Sequence, residues 1–209
     1  MSIRYRGALA EVDTAGTFRQ QVAGRWYAFT QHEALYARRT FPCVDEPDTK
    51  VPWTLTLQVP LTLTAASNAP IATEELTIAG KTLRFAATPP LPSYLVAFAI
   101  GPFDVVPAGA TSGGAPIRIL ALAGRGADAA FAAGATPRLV AALERWFGTP
   151  YPYAKLDSVA IPATVGFGAM ENPGLITYVE SLLLMPADAP AQRQRRYASV
   201  GAHELAHQW

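Results

Sequence analysis

His203, Glu204 and His207 are the residues of this chain best placed to do chemistry together. On a helix, side chains four apart stand one turn above one another on the same face. The imidazoles of His203 and His207 can therefore close on one metal ion, and Glu204, beside the first of them, can reach a water on that ion. Two nitrogen ligands and an adjacent carboxylate are the parts that metal-assisted hydrolysis needs. In the H-E-x-x-H pattern the histidines bind Zn²⁺ and the glutamate serves as general base. The chain has three histidines, and two of them form this pair. The plain alternative is a helix with two solvated histidines. A chance match at ordinary residue frequencies is on the order of 1% or less, which favours the metal.

A second candidate is the glycine-rich stretch from Gly166 to Gly174, which carries Glu171. Glycines let backbone approach a ligand closely, and one carboxylate in such an edge segment suits an ammonium group. Taken by itself, an irregular turn explains the stretch equally well. A third is the Pro-bounded loop Phe41–Lys50, whose acids are free to cap backbone amides. Cys43 within it is expected to pack as a small buried hydrophobe.

The elements that must position these residues fall into two halves. The first, to Val106, reads as β. Val51–Val59 alternates as a half-buried strand does, Ser67–Pro70 is a turn, and Glu74–Ile78 with Lys81–Ala86 frame a hairpin around Ala79-Gly80. Tyr94–Ile100 is a continuous apolar run that predicts a strand covered on both faces. Short strands separated by turns point to a sandwich or saddle-shaped domain. Pro107–Pro116, rich in Gly and Pro, predicts a linker or long loop. Beyond it, Ile117–Leu122, Asp157–Ile161 and Leu175–Val179 read as strands. Thr136-Pro137 reads as the start of a helix, with Asp128–Ala133 an earlier turn of the same helix kinked at Gly134 and Pro137. Its apolar residues Leu139, Val140, Leu143, Trp146 and Phe147 recur at helical spacing, and Gly148 ends it. Asp188-Ala189-Pro190 opens the last helix, in which Tyr197, Val200 and Leu205 surround the histidines. The fold class is α+β, with a β domain over residues 1–106 and a catalytic domain over residues 107–209.

Composition narrows the function classes. Half of the 209 residues are hydrophobic and 16% are charged, so the chain is globular. Seventeen basic residues stand against 16 acidic ones, a net charge of +1. That gives no electrostatic case for nucleic acid or a membrane surface. Arg193–Arg196 is the one basic cluster and reads as the solvated start of a helix. A single cysteine permits no intrachain disulfide. No apolar run reaches the roughly 18 residues of a membrane span, and the first residues lack the apolar core of a signal peptide. A cytoplasmic protein is expected.

Gly168-Ala169-Met170-Glu171-Asn172 followed by His203-Glu204-Leu205-Ala206-His207 resembles the M1 zinc aminopeptidases, whose G-x-M-E-N and H-E-x-x-H motifs occur in this order and at about this separation. The likeness covers most of the chain. Thr30-Gln31-His32-Glu33 with Ala37-Arg38, Phe41-Pro42-Cys43 and Asp45-Glu46-Pro47 looks like the family's N-terminal domain. Tyr151-Pro152-Tyr153 with Lys155-Leu156-Asp157 looks like the lead-in to its thermolysin-like catalytic domain.

The resemblance implies one Zn²⁺ per complete site, with His203 and His207 as ligands and Glu204 polarising the attacking water. It implies that Glu171, with Gln31 and Glu33 from the β domain, holds the α-ammonium of a peptide with a free N-terminus. Gly168, Ala169, Met170 and Asn172 would line the substrate, their backbone pairing with the peptide as an added strand. Two departures stand out. Pro173 replaces the tryptophan usual after E-N. The glutamate that serves the family as third zinc ligand, and its oxyanion tyrosine, lie downstream of the motif and do not occur before Trp209. The resemblance therefore implies an internal piece of a zinc aminopeptidase, inactive alone, binding zinc weakly and exposing apolar surface on its last helix. The other readings are a non-catalytic peptide-binding or scaffolding relative, and a half-enzyme completed by a second chain. Oligomeric state and the preferred first residue of the substrate are not legible.

Overall fold

The computed structural model describes residues 2–164 and 166–209. The chain divides into two compact units, Met1–Gly101 and Pro102–Trp209, and it mixes strands and helices in an α+β arrangement.

The first unit is built from β1 (Gly16–Val22), β2 (Arg25–Gln31), β3 (Thr56–Val59), β4 (Thr64–Ser67), β5 (Ile71–Thr77), β6 (Gly80–Phe85) and β7 (Phe98–Gly101). One sheet runs in the order β1-β2-β7-β4 and a second in the order β3-β6-β5, with every neighbouring pair antiparallel. The β1–β2 turn, Ala23-Gly24, has positive φ at both residues, 48° and 76°. That is the turn whose twist matches the strands it joins. Val59, Leu83 and Phe85 from one sheet pack with Ala65 from the other, and Leu55, Leu57 and Ile100 close around them. Each large apolar side chain buried there contributes about 1.5–3 kcal/mol.

The second unit contains β8 (Asp104–Ala110), β9 (Pro116–Ala121), α1 (Ala130–Phe147), β10 (Leu156–Ile161), β11 (Ala169–Met170), β12 (Leu175–Val179), α2 (Glu180–Leu183) and α3 (Ala191–Ala206). Its sheet runs β11-β12-β10-β9-β8. The three inner strands are parallel and the two outer ones antiparallel to their neighbours. All six residues of β10 are buried, as expected of a central parallel strand covered on both faces. Helix α1 packs on β8, β9 and α3, and α3 also touches β11. Buried Gly201 permits the close approach of the two helices, since a Cβ there would sit 3.3 Å from Leu139 Cδ1. Thr136 Oγ1 donates to Ala132 O and accepts from Tyr197 Oη, both at 2.7 Å, which ties α1 to α3. No helix among the described residues is long and apolar enough to cross a membrane.

Several sequence expectations change. Pro107–Pro116 is not a linker. Its first residues complete β8, and only residues 111–115 form the loop to β9. The Pro and Gly content is tolerated because β8 is an edge strand with an irregular register between Pro107 and Ala110. Thr136-Pro137 lies inside α1, which starts at Ala130. The missing proline N–H costs one hydrogen bond there, and the packing of α1 on the sheet and on α3 holds the helix together. Tyr94–Ile100 divides into a 3-10 turn at Ser93–Leu95 and the short β7, and only Thr56–Val59 of the run from Val51 is strand.

Cys43 is only half-buried. Of helices α1 and α3, α1 rather than the last one carries exposed large apolar side chains. Trp146 is 84% exposed and Phe147 stacks on Trp209 at 5.2 Å, whereas Tyr197 and Leu205 of α3 are buried. The β5–β6 hairpin, β9, β10, β12 and the αL cap at Gly148 stand where the sequence puts them.

Candidate functional site

The helix carrying the metal-binding motif is α3, and His203 and His207 lie in its last turn. Both imidazoles are exposed, with Nε2 atoms 3.2 Å apart and ring centroids separated by 4.8 Å. Two nitrogens bound to one tetrahedral zinc at about 2.05 Å stand roughly 3.3 Å apart. The separation of the pair is close to that value. The partial negative charge at a helix C-terminus also favours a cation at this end. Among the described residues no group of three His, Cys, Asp or Glu side chains comes together to hold a metal. A catalytic zinc takes three protein ligands, so the pair would be two of them.

Glu204 faces inward and is 6% exposed. Its charge reaches Tyr178, whose hydroxyl is pushed well above its ordinary range first by burial, then by Tyr197 and Glu204. Tyr197, packed between Phe131 and Tyr178, is raised to about 12 by burial, with the Thr136 hydrogen bond acting in the opposite sense. Tyr197 and Glu204 are thus buried while the neighbouring imidazoles are exposed.

Gly168, Ala169, Met170, Glu171 and Asn172 form the edge of the sheet and the turn that leaves it. β11 pairs with β12 in the register Ala169↔Tyr178 and Met170↔Thr177, and Val179 N donates to Gly168 O at 2.8 Å. In an antiparallel ladder alternate residues face the partner strand. Gly168 and Met170 thus turn their backbone groups to β12, and Ala169 turns its own to the open side. Met170 is buried, Glu171 partly exposed and Asn172 buried, with Asn172 Nδ2 lacking a partner among the described residues. Pro173 and Gly174 (φ 70°) complete a turn closed by Leu175 N donating to Asn172 O at 3.0 Å. The positive φ is one that glycine adopts without strain.

A buried ion cluster supports that turn, and the sequence reading gave it no role. Asp157, fully buried, takes two 2.7 Å hydrogen bonds from Arg118 across the β9–β10 pairing and lies 2.9 Å from Lys155 Nζ. Lys155 Nζ donates to Gly174 O at 2.6 Å, and Asp157 N donates to the same carbonyl at 3.0 Å. Burial alone would raise the Asp157 carboxyl. The charges and hydrogen bonds of Lys155 and Arg118 outweigh it and hold that carboxyl below the usual range. For Lys155 burial wins over the Asp157 charge, and its ammonium is shifted down. Lys155-x-Asp157 places opposite charges two apart, on one face of a strand that is otherwise almost wholly apolar. That is the signal by which the cluster was legible.

Gln31 and Glu33 belong to the first unit. Gln31 ends β2 and is buried, and its Oε1 has no partner among the described residues. Glu33 is exposed, and the Glu33–Ala34 peptide bond is cis. Between them, His32 is committed to structure: Nδ1–H donates to Val96 O at 2.8 Å and Nε2 accepts from Thr40 Oγ1 at 2.9 Å. Burial lowers its pKa to about 4, so the ring is neutral near pH 7. Asp45 caps Arg38 N at 3.1 Å and accepts from Ser93 Oγ at 2.7 Å, so the acid of that loop does cap a backbone amide.

Two family profiles match the chain: "Peptidase M1 N-terminal domain" over residues 1–95 and "Peptidase family M1 domain" over residues 131–209. It is 43% identical over 218 aligned residues to "Aminopeptidase M1-C" of Oryza sativa subsp. japonica, which covers 97% of this chain and 24% of that protein. It is 42% identical over 183 residues to "Glutamyl aminopeptidase" of Homo sapiens, covering 86% of this chain and 19% of that one. With "Puromycin-sensitive aminopeptidase" of Caenorhabditis elegans it shares 40% over 188 residues, covering 88% and 20% respectively. The chain thus spans about a quarter or less of the length of these relatives.

Proposed function

The chain belongs to the M1 family of peptidases, and from that premise we propose that it carries the zinc pair and the amine anchor of an aminopeptidase. The enzyme releases residues from the free N-terminus of peptides. The observation that carries this reading is the 3.2 Å separation of the His203 and His207 Nε2 atoms on the exposed face of a helix that packs against the edge strand β11. On the same reading the first unit, which ends at Gly101, belongs to a saddle-like β domain and the second, from Pro102, to a thermolysin-like catalytic domain, five residues earlier than the boundary expected from the sequence.

His203 and His207 hold the zinc. When bound, the metal lowers the pKa of water towards about 7 and polarises the scissile carbonyl. Glu204 takes a proton from the attacking water and returns it to the departing amine nitrogen. Glu171 binds the α-ammonium of the substrate, and Gln31 and Glu33 of the first unit are amine-binding residues by the same family likeness. The buried Gln31 Oε1 supports its part in this, as an acceptor without a hydrogen-bond partner among the described residues. Gly168, Ala169 and Met170 form the edge on which the peptide docks as an added strand, and the open-side groups of Ala169 are the ones it pairs with. Asn172 belongs to the same edge, its buried Nδ2 a donor without a partner among the described residues. An anchor at a fixed distance from the metal presents the first peptide carbonyl and leaves no room for residues before it. We assign the third zinc ligand and the group that stabilises the oxyanion to sequence outside these 209 residues, so the chain alone binds zinc weakly and cleaves nothing.

A zinc titration and an aminoacyl-anilide assay on the full-length protein test the proposal. One zinc per chain and cleavage restricted to free N-termini are expected. Equal turnover of N-acetylated peptides, or cleavage at internal bonds only, would remove the anchor from the account.

A further inference from the structure

Gln208 stands one residue beyond His207, yet its side chain is turned inward and is 2% exposed. Two backbone groups of opposite kind orient its amide. Nε2 donates to Glu171 O at 2.8 Å, and Oε1 accepts from Gly174 N at 3.2 Å. Turning the amide over would set donor against donor and acceptor against acceptor, so the orientation is fixed. The Tyr151 hydroxyl approaches Oε1 to 3.3 Å while donating to Lys155 O at 3.1 Å. One side chain thus clasps both ends of the turn that follows β11.

The position of the Glu171 carbonyl gives this clasp a consequence. β11 ends at Met170, and continuing its alternation by one residue puts that carbonyl on the open side together with the Ala169 N–H and C=O. Gln208 occupies it. An added strand can pair at Ala169 but finds the next acceptor on that edge taken, and the group that takes it is adjacent in the chain to a histidine of the metal pair.

We propose that Gln208 is a positioning residue that ends the peptide-docking edge at Glu171 and holds that end at a set distance from His203 and His207. It acts through Glu171 and touches none of the reacting atoms. The proposal rests on the reading of Glu171 as amine anchor and of the histidines as zinc ligands. Its consequence is a site for peptides whose first residue lies between anchor and metal, with no backbone edge for any residue before it.

The test uses the full-length, zinc-loaded protein and two variants. Gln208→Met keeps the volume and loses both hydrogen bonds. Gln208→Glu keeps an acceptor for Gly174 N–H and sets an oxygen against Glu171 O. Affinities are measured for an α-amino hydroxamate, which carries an amine and a metal-binding group, and for acetohydroxamate, which carries the metal-binding group alone. Amide hydrogen exchange at Gly174 is followed in the same samples.

Both variants are expected to weaken the amino hydroxamate by about tenfold or more, while acetohydroxamate stays within about twofold and zinc content is unchanged. Gly174 exchange rises in Gln208→Met and stays slow in Gln208→Glu. Equal weakening of the two ligands, or no weakening of the amino hydroxamate in either variant, overturns the proposal. If the parent protein shows no preference for the amino hydroxamate, the reading of Glu171 as anchor fails first and takes this proposal with it.

Discussion

His32 of the first unit is buried, and both of its ring nitrogens are occupied by groups of its own unit, Val96 O and Thr40 Oγ1. His203 and His207, at the end of α3 in the second, are exposed, and the nearest partner recorded for each Nε2 is the other ring. The same side chain is a structural cross-link in one region and, in the other, keeps its ring at the surface, where the proposed ligand role needs it. A buried imidazole whose nitrogens are committed has nothing left for a cation, and burial opposes its protonation. An exposed pair one turn apart keeps two lone pairs that can converge. What a histidine can do is set by what its nitrogens already hold.

The sharpest test of that contrast lies in the helix. In the full-length protein, Glu204→Gln is expected to lower kcat/KM by about 10²–10⁴-fold with zinc content unchanged. His203→Ala and His207→Ala should instead lose the metal, measured as zinc per chain. The comparison breaks if His32→Gln lowers zinc content as much as either of these.

The next largest effect concerns the ions beneath the docking edge. Asp157→Asn leaves Lys155 and Arg118 without their shared carboxylate, and a denaturant titration should show a loss of about 3–5 kcal/mol, the usual result of breaking a buried pair. Stability unchanged to within 1 kcal/mol or so would mean that water reaches the cluster freely.

Histidine 32 gives a pH signature. Its folded pKa, about 4, lies below the ordinary 6.5, so the unfolded chain binds the extra proton first. Stability is full above about pH 6.5 and falls as the pH drops towards 4, by roughly 3 kcal/mol over that window. A glutamine keeps both hydrogen bonds and cannot titrate, so the unfolding free energy of His32→Gln should be nearly flat from pH 6.5 to 5. A slope equal to that of the parent would assign the effect to other groups. The smallest expected change is Tyr197→Phe. It removes the hydrogen bond to Thr136 Oγ1 at a cost of about 1 kcal/mol, read as a lowered midpoint of thermal unfolding.

Much of the candidate site was legible because its information is local. His203 and His207 need only the period of a helix, and Gly168–Asn172 needs only a recognisable glycine-rich run before a strand. The helix start at Thr136-Pro137 and the loop at Pro107–Pro116 went astray for one reason. Proline and glycine were taken as breaks, whereas α1 and β8 are held by packing and edge pairing that local preference does not contain. Trp146 fits the helical stripe and yet is 84% exposed. A periodic pattern says which residues share a face and is silent on whether that end of the helix meets anything.

By itself, then, the amino-acid order determined the kinds of ligand, their spacing, the family and the alternation of strands with helices, all of which follow from the short repeat lengths of regular backbone. Only the tertiary structure decided which histidine is spent on scaffolding, that Asp157 is shared by Lys155 and Arg118, and that the Gln208 amide donates to Glu171 O. Those outcomes join residues far apart in the chain, 37 positions in the last case. They depend on which buried donors and acceptors are left to satisfy one another once the sheet and helices have packed.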